Sequence, residues 1–501
     1  MADFDPLVAN GRIVGDHRPW PRAIVTADGW RDAIVMLAAG ERTLLGLWGE
    51  PQTVHMAVLD ETRNSVGVLS LACPDGRFPS VGEAHPPAIR PERAIRDLYG
   101  LEPVGLPDGR PWLDHGRWGV RHPLGHAEPA GEAPAGYAFL PVEGENLHQI
   151  PVGPVHAGII EPGHFRFTAS GETIVRLEER LGYVHKGIDG LMRGADIERA
   201  AKLAGRVSGD STVAYALAFA RAVEAATGTE APPRAVRLRA LMAELERIAN
   251  HLGDIGAICN DASFALMQAH CAILRERVLR FAKGAFGHRL MMDAVVPGGV
   301  AVDLRRPSAA AFGALLAELT RVFPALVDLY DNTASLQDRT VGTGGLTAAL
   351  ARQYGAGGFV GRASGRTFDA RRALPYAPYE ALRFEVPSLE EGDVNARVWI
   401  RIREVEQSLA LIGALADLPD GPVRAEVPRR AGEGMALVEG FRGDVLAWLR
   451  LGGDGRIAAS HLRDPSWFQW PLLEAVIEDN IVADFPLCNK SFNCSYSGHD
   501  L

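Results

Sequence analysis

Residues 235–258 read AVRLRALMAELERIANHLGDIGAI. Leu238, Leu241, Met242, Leu245, Ile248, Leu252 and Ile255 recur at three- and four-residue intervals, the periodicity of an α-helix with one apolar face. Stretches 211–227, 262–286, 308–331 and 393–418 keep the same spacing. Long amphipathic helices bury such faces most readily against one another, so residues 149–501 are expected to form a large, mainly α domain built on a long-helix bundle. The β-rich runs at 165–169, 436–439 and 444–451 are expected as its peripheral strands.

Upstream the pattern changes. Residues 29–39 (GWRDAIVMLAA) have helical spacing, and 43–49, 53–60 and 65–73 are short β-rich runs divided by turn residues. A three-stranded meander with a covering helix is the expected result, followed by a short helix over 90–101 that Gly100 ends. Residues 126–145 (HAEPAGEAPAGYAFLPVEGE) carry no apolar period and read as a linker. The expected fold class is therefore α+β: a small N-terminal α/β domain over 1–123, a linker over 124–148, and the mainly α domain over 149–501.

Composition narrows the function. The chain has 501 residues, 47% hydrophobic and 23% charged, which suits a folded protein with a sizeable core. Lys+Arg 52 against Asp+Glu 62 leaves a net charge of -10, and no basic block is present, so nucleic acid is not an expected partner. Five scattered cysteines do not make a disulfide framework and point to a reducing compartment. No uninterrupted apolar stretch of about 18 residues occurs. The expectation is a cytosolic chain, or one held on a membrane by partners. Phosphate-loop, HExxH and CxxC signatures are absent.

Larger motifs carry more information. Residues 150–167 (IPVGPVHAGIIEPGHFRF) and 181–193 (LGYVHKGIDGLMR) are followed in order by 239–252 (RALMAELERIANHL), 287–300 (GHRLMMDAVVPGGV), 338–344 (DRTVGTG), 362–379 (RASGRTFDARRALPYAPY) and 439–444 (EGFRGD). This series resembles the large subunit of energy-converting, formate hydrogenlyase-type nickel-iron hydrogenases and the related 49-kDa-type subunit of complex I. Phe441 stands where that family has proline. Residues 92–101 (ERAIRDLYGL) resemble part of the 30-kDa-type subunit of complex I. The fused order is similar to that of the formate hydrogenlyase large subunit.

The resemblance implies a place to look for metal. Such hydrogenases hold nickel and iron with four thiolates, from an RxCGxC and a DPCxxC motif. Here the matching segments are 206–211 (RVSGDS) and 493–497 (NCSYS), so Ser208, Ser211 and Ser497 replace three thiols and Cys494 remains. Hydroxyls stay protonated near neutral pH and are hard ligands, so no nickel-iron centre is expected. Cys494 reads as a buried structural thiol. Any iron-sulfur clusters or NAD would sit on partner subunits.

In quinone-reducing relatives the cavity at the lost metal site takes the quinone head group. The resemblance then implies a pocket with His156 or His164 as hydrogen-bonding group, His164 favoured, Asp189 or Asp210 to replenish protons, and Ser208, Asp210, Ser211, Arg442, Cys494 and Ser497 as lining. The plainer reading of both histidines is that they satisfy loop backbone groups. Glu244, Glu246, Arg247 and His251 lie at helical spacings, and a buried ion-pair ladder is the plainer reading beside a proton route. Without a metal, Arg442 can instead hold a carboxylate such as Asp210.

Three functions follow: a redox subunit with a quinone or other two-electron-acceptor pocket, a non-catalytic structural subunit coupling redox and ion-translocating modules, or an active hydrogenase, which the three serines disfavour. The expected partners are an iron-sulfur small subunit and membrane antiporter-like subunits. The expected location is the cytoplasmic side of a membrane, peripheral through those partners.

Overall fold

The structure is a computed structural model and describes residues 6–131, 136–156, 160–304 and 308–501. In the N-terminal part, strands Thr43–Glu50, Thr53–Asp60 and Ser65–Ala72 form the expected antiparallel meander. Two short strands extend it: Arg22–Val25 pairs in parallel with Ser65–Ala72, and Arg12–Ile13 pairs with Arg22–Val25. Helix Ala27–Ala38, N-capped by the Thr26 hydroxyl, covers one face through Trp30, Ile34 and Leu37. The other face is covered as well. Leu45, Trp48, Leu59 and Val68 pack on Met435, Leu437, Leu446 and Trp448 of the large domain. Burial on both faces explains why these strands read as nearly continuous apolar runs.

The five long helices run Thr212–Thr227, Pro233–Asp261, Ala265–Phe286, Ser308–Asp331 and Val394–Leu415. Their boundaries fall within a few residues of the sequence expectation. The ends at Asp261, Ala265 and Leu415 each move by three residues, the first two around Ser263, which adopts φ 66 between two helices that pack against each other. The sheet beside them is ordered Ile457–Arg463, Gly443–Leu451, Gly432–Gly440 and His17–Arg18. Its last strand comes from the N-terminal part and pairs in parallel, Glu433 with His17. Helix Thr212–Thr227 lies so close to strand Gly432–Gly440 that a Cβ on Gly434 would stand 1.9 Å from the Ala222 carbonyl oxygen. Only glycine permits that approach. A further sheet, Leu147–Val152, His164–Ser170 and Thr173–Arg180, leads from the linker into the bundle. Among the described residues no helix is long and apolar enough to cross a membrane.

Candidate functional site

Two distant segments meet at the positions of the lost thiolates. Ser208 to Ser211 form the tight turn that leads into helix Thr212–Thr227. Cys494 to Ser497 join helices Phe485–Phe492 and Tyr496–Asp500, where Asn493 ends the first helix at φ 46. The Asn493 amide donates to Asp254 Oδ1 at 2.9 Å, and Asp254 also receives Arg401 at 3.1 Å, which anchors the turn to two long helices. The Ser208 and Ser495 hydroxyls are 3.1 Å apart and join the two segments.

Arg442 enters this space from the tip of a hairpin whose arms are Gly432–Gly440 and Gly443–Leu451. It donates to both oxygens of Asp210, at 2.8 and 2.5 Å, to Ser211 Oγ at 3.1 Å and to the Asn493 carbonyl at 2.5 Å. Ser208 and Ser211 donate to Asp210 Oδ1 at 2.7 and 3.3 Å. Burial alone would raise the Asp210 carboxyl, but Arg442 and the two hydroxyls bring it down to about 2. Asp210 is thus a fixed anion and a poor proton source. The Cys494 thiol is buried and its pKa is pushed well above the ordinary value by desolvation, with Glu179 adding to the effect.

A nickel-iron centre does not fit this donor set. Three of its positions are hydroxyls, two of them donating to a carboxylate, the thiol is held protonated, and a guanidinium pairs with Asp210 between them. Among the described residues no group of three or more His, Cys, Asp or Glu side chains is placed to hold a metal.

The remaining expected residues are dispersed. Asp189 opens the short helix Ile188–Met192 and lines a cavity of about 390 Å³ between the N-terminal and large domains, not the serine cluster. Desolvation pushes its carboxyl up to about 7, against the pull of Arg193. Lys186 bridges the two places: it lines the same cavity, and its Nζ donates to the Val207 carbonyl at 3.1 Å and the Ser497 carbonyl at 3.5 Å.

His164 uses both ring nitrogens, Nδ1 with the Gly153 carbonyl at 3.1 Å and Nε2 as acceptor from Arg166 at 3.3 Å, and lines an outer cleft with Phe139 and Tyr183. His156 uses only Nε2, on the Gly163 carbonyl at 2.8 Å. Its ring lies 5.7 Å from Phe165, whose ring is 6.5 Å from Tyr496 beside Ser497. Of the two, only His156 keeps a nitrogen without a partner among the described residues.

The ladder on helix Pro233–Asp261 is wider than its spacing suggested. Glu244 meets Arg247 at 3.4 Å, but Arg247 and His251 do not bond each other; both reach Glu404, at 3.4 and 2.7 Å. Glu404 also receives Arg362 of the RASG segment at 2.5 Å, and Arg362 meets Glu439 at 2.9 Å. Glu246 is separate: it accepts from the backbone of Val213 and Ala214 at 2.7 and 3.1 Å, capping the next helix, and burial pushes it up to about 8. Sequence spacing misses Glu404, Arg362 and Glu439 because their partners lie on other elements. Arg362 and Glu439 lie inside quoted motifs, which is their only signal, and Glu404 lies in none of them.

Comparison with known proteins agrees with this architecture. Residues 261–431 match the family described as the 49 Kd subunit of respiratory-chain NADH dehydrogenase, and residues 23–133 match its 30 Kd subunit. The chain belongs to this family of complex I 49-kDa-type and hydrogenase large subunits, with a 30-kDa-type domain fused in front. It is 33% identical to formate hydrogenlyase subunit 5 of Escherichia coli (strain K12) over 84% of this chain and 77% of that protein. It is 32% identical to hydrogenase-4 component G of the same strain over 94% and 84%. A subunit of the NADH-quinone oxidoreductase of Dehalococcoides mccartyi (strain ATCC BAA-2266 / KCTC 15142 / 195) is 31% identical over 66% of this chain and 92% of its own. A chain in the structure of the membrane-bound sulfane sulfur reductase, an archaeal respiratory membrane complex, superposes with a TM-score of 0.68 at 25% identity, covering 72% of this chain and all of that one.

Proposed function

We propose that this chain is a nickel-free redox subunit of a membrane-associated complex I-like or hydrogenase-like oxidoreductase. With an iron-sulfur small subunit it forms a pocket for a quinone, or another two-electron acceptor, beside the serine cluster. The observation that carries this reading is the replacement of three thiolates by Ser208, Ser211 and Ser497, with Arg442 held on Asp210 among them. His156 serves as the hydrogen-bonding group for a carbonyl of the acceptor, and Asp189 supplies protons by way of the cavity it shares with Lys186. The chain sits on the cytoplasmic side of the membrane, held by antiporter-like partners, with electrons arriving through clusters on other subunits.

The test is to purify the native complex, identify its subunits, and measure metals, bound quinone and quinone reduction. No nickel, and a loss of about 10²- to 10⁴-fold in quinone reduction for His156→Ala in an assembled complex, are expected. Stoichiometric nickel with hydrogen-dependent dye reduction would overturn the reading. The closed circuit of Asp210, Arg442, Ser208 and Ser211 favours a second reading, a structural subunit with no acceptor. Full quinone reduction by His156→Ala, His164→Ala and Asp189→Asn would establish it.

A further inference from the structure

We propose that the cavity between the two domains binds a planar ring compound that carries a hydroxyl group at its edge. Asp189 and Lys186 belong both to this cavity and to the proton route proposed above, but the inference needs neither the serine cluster nor the acceptor, since none of Ser208, Asp210, Ser211, Arg442, Cys494 or Ser497 lines the cavity. Its volume, about 390 Å³, lies in the range of small-molecule sites. Trp118, Trp467, Phe468, Leu98 and Leu113 give it apolar and aromatic walls. Trp48 is a rigid part of the wall, stacked between His55 at 5.3 Å and His461 at 5.1 Å. Flat rings pack well on such a surface.

Unpaired polar atoms on the lining residues are a second sign, although each of the four is itself closed to water. Asp189 Oδ1, His461 Nε2, Trp48 Nε1 and Trp467 Nε1 are buried and have no hydrogen-bond partner among the described residues, and all four residues line this one space. Unpaired buried polar atoms are rare in native proteins, and a cluster of them calls for an explanation. The Tyr99 hydroxyl, on another lining residue, makes no hydrogen bond within the described residues. The basic side chains are already committed: Arg463 to the Leu45 and Asp444 oxygens, Lys186 to the Val207 and Ser497 carbonyls. A hydroxyl suits Asp189 in either protonation state, donating to the carboxylate or accepting from the acid, and it can also accept from Tyr99.

The test uses the full chain in its native complex and 2-naphthol as probe, followed by calorimetry and by quenching of tryptophan fluorescence. One saturable site per chain is expected. Losing the hydrogen bond to Asp189 should weaken binding about tenfold, both in Asp189→Ala and when 2-methoxynaphthalene replaces 2-naphthol on the unaltered protein. Leu98→Trp, which fills the cavity, should abolish binding. The proposal is overturned if 2-naphthol does not saturate up to its solubility limit, if Leu98→Trp protein binds it equally well, or if the methoxy compound binds as tightly. The methoxy comparison needs no substitution, so it decides the matter even if a variant fails to fold.

Discussion

Arg442 shows how a buried guanidinium is held among hydroxyl groups. A guanidinium that is 5% exposed needs a partner, and Asp210 supplies one with two-pronged geometry. Breaking a buried pair from one side leaves the other charge uncompensated, so Arg442→Ala should cost about 3 kcal/mol in denaturant unfolding. Asp210→Asn should cost more, since it leaves the buried Arg442 guanidinium unpaired, whereas the Asp210 left behind by Arg442→Ala is 35% exposed and water can reach it. Equal losses would contradict this account. Asp189 behaves in the opposite way. Burial raises its carboxyl to about 7 from an unfolded value near 4. Between those values the unfolded chain ionises and the folded one does not, so folding stability falls as pH rises through that window and stays low above it. Asp189→Asn should therefore stabilise the protein at pH 8 and change little near pH 3.5; thermal melts at both values check the sign. The pairing of Arg442 with Asp210 could be anticipated from the sequence, because charge complementarity survives the loss of a metal. The isolation of Asp189 could not, because nothing in its neighbours along the chain reveals the wall of another domain.

The long helices were legible because each repeats one physical pattern over many turns. Their mutual anchoring was not, because it depends on side chains that meet across elements. Glu404, on helix Val394–Leu415, is the common acceptor for Arg247, His251 and Arg362, and its pKa is held well below the usual range: burial opposes the charge but Arg362 and His251 outweigh it. Glu404→Ala would leave two buried guanidinium groups short of an anion, and a loss of about 3–5 kcal/mol is expected by chemical denaturation. Loss below about 1 kcal/mol would show that the network contributes little. The hairpin that carries Arg442 depends on a second close contact. Gly358 has φ 58, and a Cβ there would lie 2.1 Å from the Arg442 carbonyl oxygen. Gly358→Ala should displace Arg442 from Asp210 and lower the melting temperature by several degrees, with helix content unchanged by circular dichroism.

Across the whole molecule, the two domains are joined through buried polar contacts as well as through the sheet they share. Arg22 pairs with Glu433 at 2.8 Å, Arg90 with Glu179 at 3.2 Å, and Arg366 with Glu61 at 2.7 Å, each across the boundary. Strand His17–Arg18 completes the sheet of the large domain. The N-terminal part is therefore expected to unfold together with the rest, in one calorimetric transition that Arg22→Ala moves down as a unit. Two separate transitions in the unaltered protein would show the domains to be independent. The sequence alone was enough for the fold class, the long helices, the meander and the family. Each of these rests on a local period or on the identity of a residue at a motif position, which the chain carries without folding. The tertiary structure decided which side chains share a space: Arg442 with Asp210 among the serines, and Asp189 at an interdomain cavity. Burial, desolvation and the approach of charges arise only when segments hundreds of residues apart are packed together, so no local reading could supply them.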